Sequence, residues 1–161
     1  MRPRPPTPSE LEELRAIAKI QFRGIDDSFI PDDVLLVISP STHKIRYLIL
    51  NGKHYLSIRA SDYRFILHIP AGLALHKLLP QPLCRVYIDH KYASFIADGG
   101  NVFTKHIVFA DPDIRPGDEV VVVDHETGEV VGVGKASKPG WEMIYYGWGE
   151  GVRIREGINE V

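Results

Sequence analysis

Cysteine is almost missing from this sequence. Cys84 is the single thiol in 161 residues, so no disulfide can form within the chain and a reducing, cytoplasmic setting is expected. One thiol also leaves a structural zinc site, which takes four ligands, short of donors, and the seven histidines contain no HxxxH pair. Amides are scarce as well: three Asn and two Gln fit a heat-adapted source. Long apolar runs are absent. The longest, from Arg64 to Leu83, is broken by Arg64, His68, His76 and Lys77, whereas a membrane span needs roughly 18 or more uncharged residues. The opening MRPRPPTPSE is basic but has no apolar segment behind it, so it does not read as a signal peptide. Neither a GxSxG elbow nor a GxxxxGK[ST] phosphate loop occurs.

An excess of positive charge is missing too. The net charge is −2, and the two halves differ. Residues 1 to 83 hold 11 Lys and Arg against 8 Asp and Glu, or +3, while residues 84 to 161 hold 8 against 13, or −5. Affinity for nucleic-acid backbone scales with the phosphates neutralised. Any nucleic-acid contact must therefore use a local basic strip and shape, not bulk charge.

What is present reads as two units behind a short arm. Four prolines in the first eight residues exclude a regular element there, and residues 1–8 are expected to form a mobile arm. Ser9 followed by Glu12 has capping-box spacing. Leu11, Leu14, Ile17, Ala18 and Ile20 then give a helix one apolar face, with Gly24 as its stop. The β-branched run Val34 to Ile38 predicts a strand. Strands over 44–50 and 54–59 flank Asn51-Gly52, a strong hairpin signal. A strand over 63–69 and a short helix carrying Leu73, Leu75, Leu78 and Leu79 complete a small α+β unit, residues 9–82, closed by Pro80-Gln81-Pro82.

The second unit, residues 83–161, has a different texture. A strand over 84–88 leads to an amphipathic helix near His90 to Ala97 that ends at Gly99-Gly100. Short strands follow near 102–103, 107–109, 119–124 and 130–135, then a helical segment at 141–146 and a last strand at 152–155. Many short strands with frequent turns predict a small barrel or pseudobarrel.

Three phrases make this half recognisable: Asn101-Val102-Phe103-Thr104-Lys105-His106-Ile107-Val108, Asp111-Pro112-Asp113-Ile114-Arg115-Pro116-Gly117-Asp118-Glu119-Val120 and Val131-Gly132-Val133-Gly134-Lys135-Ala136. With Gly149 and the ending Val152-Arg153-Ile154-Arg155-Glu156-Gly157 they resemble a PUA domain, the module named for pseudouridine synthases and archaeosine transglycosylases. The first unit is similar to the domain that precedes PUA in archaeal tRNA-guanine transglycosylases. The fold class implied is α+β: a small pre-PUA-like α/β domain followed by a PUA pseudobarrel.

In PUA domains, the resemblance implies, RNA lies in the groove between the helix, its glycine loop and the C-terminal strand. Carried over by residue, this places Gly99, Gly100, Lys105, Arg153 and Arg155 at the RNA surface. Gly99 and Gly100 would let backbone N–H groups approach a phosphate. Arg153 and Arg155 share a strand face. Lys105 and both arginines also read as solvated side chains, and Phe103 as either a stacking ring or core. Pro116-Gly117 reads as a tight turn and Gly134 as a bulge or close backbone approach. Relatives often carry Lys-Arg-Gly where this chain has Gly147-Trp148-Gly149, so two cations are exchanged for one aromatic. Trp148 with Tyr145 or Tyr146 could stack unpaired bases, or they could pack inside. In the first unit Lys44, Arg46, Lys53, Arg59 and Arg64 are expected around the hairpin, with Lys44, Arg46 and Arg59 as RNA contacts or as a solvated face.

Asp89-His90 and Asp124-His125 fall at expected element ends, where Asp is ordinary capping chemistry, and Cys84 reads as a buried small hydrophobe. A transglycosylase barrel needs about 250 residues, more than the chain has. The reading is a non-catalytic RNA-binding protein for tRNA or another structured RNA, an accessory to RNA modification. Its alternative is a docking module in a ribosome-biogenesis or tRNA-modification complex, with RNA contacts secondary. The expected partners are RNA and an RNA-modifying enzyme; no membrane, DNA, metal or cofactor is expected.

Overall fold

The computed structural model describes residues 2–161, and the chain divides between Leu79 and Pro80 into two compact units. In the first, helix α1 spans Pro8–Gln21. Its N-cap is Thr7, two residues before the expected Ser9. The Thr7 hydroxyl accepts from the Glu10 N–H (3.1 Å) and the Glu10 carboxylate accepts from the Thr7 N–H (2.9 Å), with Pro8 at the first helical position, where its missing N–H costs nothing. Glu10 also takes both Arg4 guanidinium nitrogens at 2.8 and 2.7 Å, which with the Thr7 bonds pulls its carboxyl down to about 2.

The proline-rich arm is thereby tied down. The Arg4 N–H donates to the Leu36 carbonyl (3.0 Å) and the Leu36 N–H donates to the Arg4 carbonyl (2.7 Å), forming an isolated antiparallel bridge. Proline bars a continuous ladder but not a single bridge. The expectation of a mobile segment missed this because the anchoring partners lie 6 and 32 positions away.

Strands β1 (Leu35–Ile38), β2 (Ile45–Leu50), β3 (Lys53–Ile58) and β4 (Phe65–Leu67) form an antiparallel meander in chain order. Asn51 and Gly52 both adopt left-handed backbone (φ 52° and 77°), as the two-residue hairpin requires. One leucine from each strand, Leu36, Leu48, Leu56 and Leu67, forms a row of cross-strand neighbours with no exposed surface. Phe22, Phe29 and Leu75 are buried in the same unit, where the Tyr55 hydroxyl donates to the Phe29 carbonyl at 2.6 Å. Helix α2 (Ile69–Leu78) starts earlier than expected, because Pro70 suits its first turn and cannot extend the strand.

The second unit begins with β5 (Arg85–Ile88), a 3₁₀ turn (His90–Tyr92) and α3 (Ala93–Ala97). It continues through β6 (Val102–Phe103), a 3₁₀ turn (Thr104–His106), β7 (Ile107–Ala110), β8 (Glu119–Asp124), β9 (Val130–Ala136), α4 (Gly140–Tyr145) and β10 (Glu150–Gly157). The six-stranded sheet runs β6-β10-β9-β8-β5-β7, with β5 and β8 parallel and all other pairs antiparallel. It curls into a nearly closed pseudobarrel around Val86, Ile88, Ile96, Val102, Val120, Val122, Met143 and Val152. Strand β8 is buried along its whole length, which is why it reads as an unbroken valine run and not as an alternation. Arg115-Pro116-Gly117-Asp118 makes the expected tight turn, with Gly117 at φ 89° and the Asp118 N–H donating to the Arg115 carbonyl at 3.0 Å.

Two glycines record close backbone approach. A Cβ on Gly134 would meet the Arg153 carbonyl oxygen at 2.2 Å, and one on Gly140 the Asp111 carbonyl oxygen at 1.8 Å. Gly140→Ala is expected to destabilise the protein by about 1–3 kcal/mol or more, because a backbone segment must move. Gly147→Ala, with nothing within 4 Å of the added methyl, should stay within about 0.5 kcal/mol. Chemical denaturation of the two variants checks the contrast.

Candidate nucleic-acid interface

Pairing of β10 with β6 sets Glu150 opposite Phe103, and the Thr104 N–H donates to the Gly149 carbonyl at 2.9 Å. The loop between α4 and β10 therefore lies against the end of β6. Between them is an open hollow of about 420 Å³ lined by Phe103, Lys105, Gly147, Trp148 and Gly149. Both aromatic rings are at the surface: Phe103 is 41% exposed and Trp148 84%. The Lys138 ammonium donates to the Trp148 carbonyl at 2.9 Å and so anchors the loop. On the other side His106 accepts the Phe103 N–H at its Nδ1 (3.1 Å) and lies tilted against the Tyr92 ring with centroids 4.2 Å apart. Burial, helped by the nearby Lys105 charge, pushes the His106 imidazole below its ordinary value and keeps it a neutral acceptor.

Trp148, Tyr145 and Tyr146 therefore do not pack in the core. Tyr145 is 77% exposed, and Tyr146 rests edge-on against Trp141 at 6.0 Å. An exposed ring beside a lone ammonium suits an unpaired base with its phosphate: the ring offers a stacking face and Lys105 a charge. Lys105 is exposed and carries no ion pair among the described residues.

The glycine loop behaves otherwise than expected. The Gly99 and Gly100 N–H groups donate to the Ile96 (2.9 Å) and Phe95 (3.0 Å) carbonyls, closing the end of α3. A Cβ on Gly100 would fall 2.4 Å from the Phe95 ring, and one on Gly99 2.7 Å from the Glu160 carboxylate. These glycines make room for a ring and an anionic side chain. Neither N–H is left for a phosphate, and Glu160 puts negative charge where one would sit.

Of the strand arginines, Arg155 is committed. Its Nη2 donates to Glu119 at 2.8 Å and its Nη1 to the other oxygen of that buried carboxylate. Arg153 is exposed and only loosely paired with Glu150 (3.2 Å), a contact worth little at a surface. Its cross-strand neighbour is the exposed Lys135. Nothing in the sequence ties Glu119 to Arg155, 36 residues on, so this neutralisation was not legible.

In the first unit, Lys44, Arg46 and Arg59 do not gather around Asn51-Gly52. They lie at the opposite end of the sheet, where β2 begins and β3 ends; only Lys53 adjoins the turn.

The acid–base pairing that forms is neither of those adjacent in sequence. His90 Nδ1 lies 2.6 Å from Asp124, which caps the β8–β9 turn by accepting from the Glu126 N–H at 2.9 Å. The bond to Asp124 raises the His90 imidazole above its ordinary value. Burial works against ionisation of Asp124, but the His90 bond and the turn N–H groups outweigh it and hold the carboxyl below its usual range. Among the described residues no group of three or more His, Cys, Asp or Glu side chains could hold a metal ion, and no helix is long and apolar enough to cross a membrane.

Residues 84–158 match the family model of the PUA domain. These residues form a PUA domain. Residues 12–82 match a second family, the patch-forming domain C2 of tRNA-guanine transglycosylase. Among curated relatives, the tRNA-guanine(15) transglycosylase of Pyrococcus furiosus is 35% identical over 148 residues, covering 91% of this chain and 25% of that protein. That of Thermoplasma volcanium is 38% identical over 152 residues, covering 94% and 24%. The chain spans about a quarter of the length of the curated relatives it matches. Among solved structures, a hypothetical protein from Pyrococcus horikoshii superposes with a TM-score of 0.70 at 20% identity, covering 97% of this chain and 94% of that one. A conserved PUA domain protein from Thermoplasma acidophilum gives 0.67 at 21%, covering 97% and 93%. At these identities the two structures show a shared fold.

The His90 shift has a sign that can be checked. A raised histidine contributes stability that is fully present below its unfolded value, about 6.5, and is lost as pH rises through the folded value. The melting temperature of His90→Gln should therefore fall short of the unmodified protein's at pH 5.5, with the gap closing as pH rises above the ordinary histidine value. An equal gap at both ends would contradict the pairing.

Proposed function

We propose that this chain is a non-catalytic RNA-binding protein that engages tRNA, or another structured RNA, as a cytoplasmic accessory to RNA modification. The observation that carries the reading is the hollow between Phe103, Lys105 and Trp148, where exposed rings on a strand end and a loop meet an unpaired ammonium on a 3₁₀ turn. The resemblance to transglycosylases named for guanine 15 of tRNA supports tRNA as the RNA. Within this reading Lys105 and Arg153 remain contacts, Trp148 and Phe103 join them, and Gly99, Gly100 and Arg155 act structurally. The RNA is held by stacking more than by charge, because the C-terminal half has 8 cations against 13 carboxylates and Arg155 is internally neutralised.

A second reading is favoured by one feature. Trp141 and Tyr145 on α4 are exposed in this half, where carboxylates outnumber cations, which suits docking onto a protein of a modification or ribosome-biogenesis complex. Partners that survive nuclease treatment in a pull-down support docking, whereas partners lost with the RNA support the first reading.

Trp148→Ala tests the stacking directly. Loss of one stacked base costs about 1–3 kcal/mol, so affinity for structured tRNA should drop roughly 5- to 150-fold. The melting temperature should stay unchanged, since Trp148 packs against nothing that holds the barrel. Unchanged RNA affinity would remove the hollow from the interface.

A further inference from the structure

Exposure alternates along the turn that carries the cation of the hollow. Phe103 and Lys105 face solvent, while Thr104 and His106 are buried. Backbone bonds hold the turn to its neighbours: the Thr104 N–H donates to the Gly149 carbonyl and the Asp89 N–H to the His106 carbonyl, both at 2.9 Å. The buried Thr104 hydroxyl has no hydrogen-bond partner. Among the described residues, the one side-chain hydrogen bond of residues 103–106 is that from the Phe103 N–H to His106 Nδ1, at 3.1 Å.

His106 is the third residue of the 3₁₀ turn and reaches back to the N–H of the residue before it, as a capping-box glutamate or glutamine does. Here a ring makes the bond, and three other rings surround it. The centroids of Tyr92, Phe103 and Phe95 lie 4.2, 5.8 and 6.1 Å from that of His106. Gly100 supports this enclosure, since a Cβ there would fall 2.4 Å from the Phe95 ring.

A neutral imidazole accepts through one nitrogen and donates through the other. A proton added at Nδ1 sets one donor against another, and the Phe103 N–H loses its acceptor. The charged and titratable groups around the ring do not offset this. The turn itself contributes Lys105. The preceding 3₁₀ turn contributes Tyr92 and, 5.3 Å from the centroid of that ring, the Lys91 ammonium. Asp89 faces it through its backbone N–H, while its carboxylate accepts the Lys91 N–H at 3.1 Å. Phe95 of α3 and Phe103 of β6 do not titrate.

We propose that His106 is the positioning residue of the hollow: by holding the Phe103 N–H it sets the Phe103 ring and Lys105 for an unpaired base, and protonation of its ring releases them. The proposal rests on the RNA-binding reading above and adds acid sensitivity to it. Burial and the Lys105 charge hold the imidazole below its ordinary value. The bond is therefore intact at neutral pH and is lost as pH falls through the folded value, below about 6.5.

The experiment measures tRNA binding by the full chain, His106→Gln and His106→Leu at constant ionic strength, from about pH 7.5 to about pH 5, either side of the ordinary histidine value. Glutamine can make the reach-back bond and does not titrate; leucine cannot accept. At the upper pH, His106→Gln should bind within about twofold of the parent and His106→Leu roughly 3- to 10-fold more weakly, the worth of one hydrogen bond. On acidification the ratio of parent to His106→Gln affinity should fall, by at most about tenfold per pH unit because one proton is involved. The other histidines are common to both proteins, so their titration cancels in the ratio. The ratio also decides the matter if His106→Leu does not fold. A flat ratio would overturn the proposal, as would a ratio that rises on acidification, which a cationic His106 on a phosphate would give. His106→Gln binding as weakly as His106→Leu at the upper pH would overturn it too, by tying the effect to the bulk of the ring and not to Nδ1. No binding by the parent at any pH would instead overturn the RNA reading itself.

Discussion

Strand β10 lies between β6 and β9, and its register with both neighbours is the constraint on which the candidate interface depends. On one side Glu150 sits opposite Phe103 and the Gly149 carbonyl accepts the Thr104 N–H, which presses the 147–149 loop against the cation-bearing turn. On the other, Arg153 pairs with Lys135 and Ile154 with Gly134, where a side chain on residue 134 would collide with the Arg153 carbonyl. A slip of one residue would turn every β10 side chain to the opposite face. It would also break the Glu119–Arg155 pair and part Trp148 from Phe103. The backbone around the hollow is thus set by strand pairing.

Charge is distributed in keeping with that geometry. The pseudobarrel takes two arginines out of solvent: Arg155 pairs with Glu119, and the fully buried Arg85 donates to the Leu83 carbonyl at 2.6 Å. Burial lowers the Arg85 guanidinium from its usual value, although the nearby carboxylate of Asp111 opposes the shift. In the first unit Lys44 and Arg46 rest on tyrosine rings and keep their charge. Formal charge counted over the whole chain hides this difference, because a paired arginine and a ring-supported one count alike.

Much of the fold was legible in the sequence. The Asn51-Gly52 hairpin, the Pro116-Gly117 turn and the close approach at Gly134 follow from backbone demands that few residues can meet. The valine run of β8 announces a strand buried on both faces. The features that escaped were long-range partnerships. Arg4 tying the arm to Glu10 and Leu36, Glu119 capturing Arg155, and His90 reaching Asp124 and not Asp89 depend on neighbours that the fold supplies. Gly99-Gly100 misled for a related reason. A glycine pair after a helix looks the same whether it admits a phosphate or, as here, Phe95 and Glu160. Trp148 was legible as an aromatic where relatives carry cations, but only its 84% exposure places it at the surface.

The proposed function requires that an unpaired RNA base stack on Trp148 in the hollow it shares with Phe103 and Lys105. The chain has two tryptophans, so a Trp141→Phe protein reports on Trp148 alone through its intrinsic fluorescence. Titration with tRNA should quench that emission saturably, at the same midpoint as binding measured independently, while a blunt RNA duplex should leave it unchanged. Binding of tRNA with no change in Trp148 emission, or equal quenching by the duplex, would rule that stacking out.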